Sequence, residues 1–151
     1  MIRATITLLL ASLFVLIVGS PLLVLAYIHP YPPAADWASR VWSRLILLAA
    51  GVRLTVDGAE HVAGPSPKYF VGNHQSAMDI PILITALAGR VRFMAKDNLF
   101  RIPLFGGLLT LYDYVPVDRA RARRALTSME TMIERVRRHS RSLVVFPEGT
   151  R

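Results

Sequence analysis

The stretch KYFVGNHQSAMDIPILITALA, residues 68–88, contains in succession a short apolar segment, a polar loop and a longer apolar segment. Residues 68–72 have the length and composition of a buried strand. Residues 80–88 are apolar enough for a buried helix, and Pro81 is tolerated because it falls in the first helical turn. The stretch therefore predicts a strand that leads through residues 73–79 into a helix.

The same alternation of strand-like and helix-like segments continues along the chain. Further strands are predicted at 52–56, 91–95, 114–117 and 142–146, and further helices at 102–111 and 120–140. Strands separated by helical segments require crossover connections, which are typical of parallel sheets. We therefore predict an α/β fold, with a mainly parallel sheet and crossover helices, preceded by an N-terminal helical membrane anchor.

The composition limits the classes of function. Of the 151 residues, 53% are hydrophobic, which argues against a disordered chain. The chain has 0 Cys, which excludes disulfides, thiolate metal sites and a cysteine nucleophile. The formal net charge of +8 indicates an anionic partner such as a membrane surface, a nucleic acid or a phosphorylated substrate.

The N-terminal segment has the character of a membrane anchor. No charged side chain lies between Arg3 and Asp36, and residues 6–28 are almost continuously apolar. As a helix they would extend roughly 35 Å, enough to cross the hydrocarbon core, although Pro21 should kink or break the helix. Two alternatives fit less well. A signal peptide has a shorter apolar core and a small-residue cleavage site, and a domain this small could hardly surround a buried core helix.

Residues 36–50 predict an amphipathic helix that lies in the membrane interface. Its apolar face comprises Trp37, Val41, Trp42, Leu45 and Leu48, and Leu47 is the main apolar residue on the polar face. The alternative is an ordinary helix packed on a domain. Because more basic residues follow the apolar segment than precede it, we expect the bulk of the protein on the cytoplasmic side.

Two polar loops that follow predicted strands are candidates for a site, since open α/β sheets bind ligands at the carboxyl ends of their strands. The first, residues 73–79, contains His74 and Asp79. If the loop folds back, the carboxylate could accept a hydrogen bond from one imidazole nitrogen and leave the other as a general base. The alternative is a helix-capping Asp79 beside an unrelated surface histidine.

The second loop, residues 146–151, has the sequence FPEGTR. It offers an acid, a base and a hydroxyl directly after an apolar strand, although a polar surface turn has the same composition. A strand followed at once by a charged loop is an unusual end for a domain. We therefore expect the sequence to be part of a longer protein.

The two loops together resemble the first and third signature blocks of the glycerolipid acyltransferases. The nearest resemblance is to the bacterial 1-acyl-glycerol-3-phosphate (lysophosphatidate) acyltransferases. A middle block agrees as well, through Lys96, the run Ile102-Pro103-Leu104-Phe105-Gly106 and the strand that ends in Asp118-Arg119. The resemblance covers residues 52–151, and the family usually has a glycine where this chain has Tyr112-Asp113-Tyr114. It implies a membrane anchor over 1–50 and an acyltransferase domain over 51–151 whose C-terminal part is missing.

The resemblance implies transfer of a fatty acyl group to the free hydroxyl of lysophosphatidic acid, which gives phosphatidic acid. His74 and Asp79 would be catalytic, and the acyl donor would be acyl-CoA or acyl-carrier protein, without a metal or other cofactor. The substrate-binding residues would be Asn73, Lys96, Arg119, Glu148, Gly149, Thr150 and Arg151. Alternatives are an acyltransferase for glycerol-3-phosphate or another lysophospholipid, or an inactive fragment that binds membranes.

An arginine-rich stretch between residues 119 and 141 carries much of the positive charge. A solvated helix face is the simplest interpretation, followed by attraction to anionic lipid or to an acidic carrier protein. No nucleic-acid partner is expected, because the chain has no nucleic-acid-binding motif. The expected location is the cytoplasmic face of the inner (plasma) membrane of a bacterium.

Overall fold

The computed structural model describes residues 2–29, 33–62, 64, 66–88, 91–118, 122–138 and 140–147. The helices are α1 (Ile2–Phe14), α2 (Ser20–Ala26), α3 (Pro33–Ala50), α4 (Ala59–Val62), α5 (Asp79–Ala86), α6 (Phe105–Leu111) and α7 (Ala122–Arg138). A π-helical turn, Val15–Gly19, joins α1 to α2, and a 3₁₀ turn, Asp97–Arg101, precedes α6. The strands are β1 (Tyr69–Val71), β2 (Val91–Lys96), β3 (Val115–Val117) and β4 (Ser142–Val145).

The four strands form one parallel sheet in the order β1-β4-β2-β3. The last strand in the chain is therefore inserted between the first two, with Val71 opposite Val145 and Phe93 opposite Val144. All four carboxyl ends lie at the same edge of the sheet. The prediction of a mainly parallel α/β sheet with crossover helices is confirmed.

Helices cover both faces of this sheet. On one face, Phe93 and Val144 pack with Ile84 of α5 and Leu109 of α6. On the other face, Val115 and Leu143 pack with Met132 and Val136 of α7. Leu143 and Val144 are neighbours on β4 and point to opposite faces because side chains alternate along a strand. Because both faces of β4 are buried, residues 143–145 are all apolar.

The N-terminal segment is helical from Ile2 to Ala26, and within the described residues this is the one helix long and apolar enough to cross a membrane. Pro21 does not break the helix, because the wider π-helical turn directly before it relieves the clash of the proline ring with the preceding turn. Only 11% of its most apolar window is buried, which contradicts the buried-helix alternative. Leu22 packs with Leu108 and Leu111, so the end of the apolar helix lies against α6.

The structure separates the apolar residues of α3 into exposed and buried ones. Trp37, Leu45 and Leu48 are exposed, as predicted, but Leu47 is 5% exposed and belongs to the core rather than to a polar face. The helix has a second face, which includes Ala38 and Leu47 and is buried where α3 packs against α1 and α5. The packed-helix alternative therefore applies to the buried face of α3, while contact of its exposed face with the membrane interface stays a prediction.

Asp36, at the start of α3, ties this helix to the sheet. Its Oδ1 accepts a hydrogen bond from Nη2 of Arg92 at 3.0 Å, and its Oδ2 pairs with Arg141. Arg92 is 4% exposed and lies near the start of β2, and Arg141 directly precedes β4. The carboxylate thus compensates buried positive charge at the amino ends of the two central strands, at the edge of the sheet opposite to the candidate site.

Two segments differ from what the sequence predicts or from what the family pattern requires. Residues 52–56 do not form a strand, because no strand in the described part of the chain pairs with them and Val56 is exposed. Tyr112-Asp113-Tyr114 stands where the family pattern usually has a glycine, and the φ of Asp113 is +59°. Aspartate is one of the few residues that tolerates this left-handed conformation, so the turn before β3 forms without glycine.

Gly106 is the position in α6 where a side chain would be tolerated least. A Cβ atom there would lie 2.0 Å from the carbonyl oxygen of Phe100, which is backbone and cannot rotate away. We expect Gly106→Ala to lower the free energy of unfolding by about 2–3 kcal/mol through overpacking. Gly72→Ala is the matched control because a Cβ at Gly72 meets nothing within 4 Å. Chemical denaturation of the two variants checks this expectation, and equal stabilities would contradict it.

Candidate active site

The first predicted loop lies between β1 and α5 at the carboxyl edge of the sheet. β1 ends at Val71, and α5 begins at Asp79, so His74 lies in the loop and Asp79 lies at the first helical position. The backbone N–H of Asp79 donates to the carbonyl of Ser76 at 3.1 Å, which folds the loop back towards its start. The sequence prediction that His74 and Asp79 meet across such a turn is the geometry found.

Asp79 is the centre of this loop. Its Oδ2 lies 2.8 Å from Nδ1 of His74 and accepts hydrogen bonds from the backbone N–H groups of Gln75 at 2.8 Å and Ser76 at 2.9 Å. Burial raises the pKa of the Asp79 carboxyl, but the hydrogen bonds from Ser76, His74 and Gln75 outweigh it and hold the pKa below its ordinary value. Asp79 is therefore ionised at neutral pH. The carboxylate caps the loop and orients the histidine at the same time.

The ionised carboxylate determines the role of each imidazole nitrogen in His74. A carboxylate oxygen can only accept a hydrogen bond, so Nδ1 carries a proton and donates the hydrogen bond to Asp79. The opposite nitrogen, Nε2, is then an acceptor in the neutral ring. The side chain is 24% exposed, so the held ring is partly open to the surface of the protein. Such a histidine can act as a general base towards a hydroxyl group.

The second predicted loop reaches the same place through the neighbouring strand. β1 and β4 are adjacent, and the backbone N–H of Gly72 donates to the carbonyl of Val145 at 3.2 Å. The ring of Phe146, the first residue of this loop, stacks on the imidazole of His74 with centroids 4.4 Å apart and an angle of 18° between the planes. The two loops that the sequence singled out therefore meet directly, although they are far apart in the chain.

Of the other predicted site residues, the structure describes Asn73 and Lys96. Asn73 is exposed and precedes His74 in the loop, and Lys96 is exposed at the carboxyl end of β2. Lys96 shares the edge of the sheet with His74, but β4 separates their strands, which corresponds to about 10 Å between β1 and β2. The remaining predicted residues lie outside the described residues: Arg119, Glu148, Gly149, Thr150 and Arg151.

The sequence reasoning missed the contributions of Phe146, Gln75 and Ser76. Phe146 begins the second predicted loop, but its contact with His74 depends on the pairing of β1 with β4, which no local pattern reveals. Gln75 and Ser76 act through backbone N–H groups, which no side-chain pattern reveals. Among the residues that the structure describes, no three His, Asp or Glu side chains lie together as a metal site would require.

Comparison with known proteins identifies the family. Residues 53–151 match the family model described as Acyltransferase. The 1-acyl-sn-glycerol-3-phosphate acyltransferase of Borreliella burgdorferi is 35% identical over 74% of this chain and 44% of its own length. The human 1-acyl-sn-glycerol-3-phosphate acyltransferase alpha is 33% identical over 67% of this chain and 36% of its own length. The chain thus spans less than half the length of these relatives.

A solved structure has the same fold. The crystal structure of the 1-acyl-sn-glycerophosphate (LPA) acyltransferase PlsC from Thermotoga maritima superposes with a TM-score of 0.65, at 23% identity, over 99% of this chain and 63% of that protein. The likeness therefore includes the N-terminal helices as well as the sheet. The family model covers the loop of His74 and Asp79 as well as the loop that begins at Phe146. This chain belongs to the acyltransferase family.

Proposed function

We propose that the protein transfers a fatty acyl group from a thioester to the free hydroxyl of lysophosphatidic acid and so forms phosphatidic acid. The observation that carries this proposal is the 2.8 Å contact between Nδ1 of His74 and Oδ2 of Asp79, at the edge of the sheet where α/β folds bind ligands. The names of the two relatives described above support lysophosphatidic acid as the acceptor.

The proposed reaction has one base and no covalent enzyme intermediate. Nε2 of His74 removes the proton from the acceptor hydroxyl as the oxygen attacks the thioester carbonyl. The new C–O bond forms, the C–S bond breaks, and the imidazolium returns its proton to the leaving thiolate. Asp79 stabilises the positive charge on the ring between these two proton transfers. The chain has 0 Cys, so no cysteine nucleophile competes with this direct transfer.

The charged residues at the same edge of the sheet are proposed to bind the phosphate of the acceptor. Lys96 lies at this edge, and Val117, its register partner on β3, is followed by Asp118 and Arg119 in the sequence. Lys96, Arg119 and Arg151 would form charge-assisted hydrogen bonds with phosphate oxygens. Asn73, Gly149 and Thr150 would complete the acceptor site, and Glu148 would hold Arg151 or a glycerol hydroxyl in place.

An apolar cavity between the helices would receive part of the acyl chain. Ile80 and Ile84 of α5 line a cavity of about 90 Å³ together with Leu22 of α2 and Leu108 of α6. The cavity thus lies against the long apolar helix, and Ile80 in its lining directly follows Asp79 in the chain. We propose that this helix anchors the protein in the inner membrane of a bacterium, with the site on the cytoplasmic face. The acyl donor would be acyl-CoA or acyl-carrier protein.

The proposal is tested with salt-washed membranes that contain the full-length protein carrying this sequence. Labelled acyl-CoA or acyl-carrier protein is supplied with lysophosphatidate, glycerol-3-phosphate or a lysophospholipid without a free phosphate group. We expect the activity to stay in the membrane pellet and the label to appear in phosphatidate. Membranes that contain the His74→Ala variant are the control. Labelling of another acceptor without phosphatidate would contradict the proposed acceptor, and release of the activity by salt would contradict the anchor.

A further inference from the structure

The imidazole of His74 has one hydrogen bond whose geometry leaves a rotation undefined. The contact with Asp79 holds Nδ1 at 2.8 Å from Oδ2, but a single hydrogen bond does not fix the tilt of the ring plane. Such a tilt changes the direction of the lone pair on Nε2, the nitrogen that would face the acceptor hydroxyl. A second contact is needed to define the plane of the ring.

Phe146 supplies this second contact. Its ring lies almost parallel to the imidazole, at 18° and 4.4 Å between centroids. Phe146 is itself stacked on Phe93, at 14° and 6.2 Å, and Phe93 is 1% exposed in the centre of β2. Tyr114 contacts the far side of this series, with its ring edge-on to Phe93 at 5.4 Å. The imidazole is thus the outermost ring of an aromatic stack that begins in the rigid core of the sheet.

We propose that Phe146 is a positioning residue for the base: its ring fixes the plane of the His74 imidazole and thereby the direction of Nε2. The inference rests on the proposed role of His74. It also connects the two loops of the site, because Phe146 begins the segment that carries the predicted acceptor-binding residues. Aromatic contacts of this kind are orientation-dependent, so an aliphatic side chain of similar size cannot replace the ring.

The test compares Phe146→Leu with Phe146→Tyr in the full-length protein. The matched control is Phe70→Leu. Phe70 packs against the same core cluster from β1, but the ring that stacks on His74 is that of Phe146. We expect Phe146→Leu to lower kcat about tenfold relative to the control, with KM changed less than about twofold, since the geometry of the base is lost while the substrate contacts remain. Phe146→Tyr should restore kcat because it keeps the stack.

A second measurement does not depend on catalysis. The rate at which diethyl pyrocarbonate modifies His74, resolved by peptide mass spectrometry, should rise in Phe146→Leu because the imidazole is no longer held in one plane and its nitrogen can meet the reagent in more orientations. It should remain at the wild-type value in Phe146→Tyr and Phe70→Leu. An unchanged rate in Phe146→Leu overturns the inference even if the protein transfers no acyl group at all. A Tyr variant as impaired in kcat as the Leu variant would also overturn it.

Discussion

His74→Ala is expected to lower the rate of acyl transfer at least about a hundredfold, because a positioned general base contributes about 10²–10⁴ to a rate. The expectation follows from the orientation of the ring: Nδ1 is held by Asp79, and Nε2 is left to accept a proton. The fold should persist, since the side chain is 24% exposed and belongs to a loop rather than to the core. Steady-state transfer from labelled acyl-CoA to lysophosphatidate measures the effect.

His61→Ala is the matched control for this variant. His61 lies on α4, and its side chain is 81% exposed. Its ion pair within the described residues is with the neighbouring Glu60. Its loss should leave the rate unchanged. Turnover of folded His74→Ala within a factor of about three of the wild type would remove His74 from the mechanism.

Asp79→Asn is expected to lower kcat about 10- to 100-fold, an effect that comes mainly from charge. The backbone N–H groups of Gln75 and Ser76 both point at Oδ2, so an amide should place its oxygen there and keep the loop folded. The neutral amide cannot compensate the imidazolium that forms when His74 takes the proton, and a hydrogen bond to a charged group contributes about 1.5–3 kcal/mol.

The measurement for this variant is kcat across the neutral pH range. Because hydrogen bonds hold the pKa of Asp79 below its ordinary value, the carboxylate stays ionised there, and Asp79→Asn should be less active than the wild type throughout this range. Only in acid, as the pH falls through that lowered pKa, should wild type and variant converge. The control is Asp57→Asn, an exposed aspartate before α4. A variant with wild-type kcat would show that Asp79 has a structural role alone.

Much of the fold follows from local sequence pattern. Residues 143–145 are apolar on both faces of their strand, and residues 80–86 form a mostly apolar run directly after Asp79, so length and composition locate both elements. Residues 52–56 alternate as a strand would, but a strand forms only where a neighbouring strand offers hydrogen bonds. Leu47 shows another limit: a helix between a core and an exposed surface has two apolar faces, and one pattern does not assign them.

The site was predictable to the extent that its side chains act through sequence-local geometry. His74 and Asp79 are five residues apart, so a single folded loop brings them together. His74 and Phe146 are 72 positions apart in the chain. Their stack depends instead on the pairing of β1 with β4. Strand order is a tertiary property, and the sequence places β4 last although it lies second in the sheet.

The double variant His74→Ala with Asp79→Asn tests the central claim most directly, since that claim is that the two residues act as one unit. Its kcat is compared with that of each single variant under the same conditions. If Asp79 acts only through the imidazole, its replacement should cost nothing further once His74 is absent, and the double variant should be as active as His74→Ala. A further 10- to 100-fold loss in the double variant would show that the two residues act independently and would contradict the account.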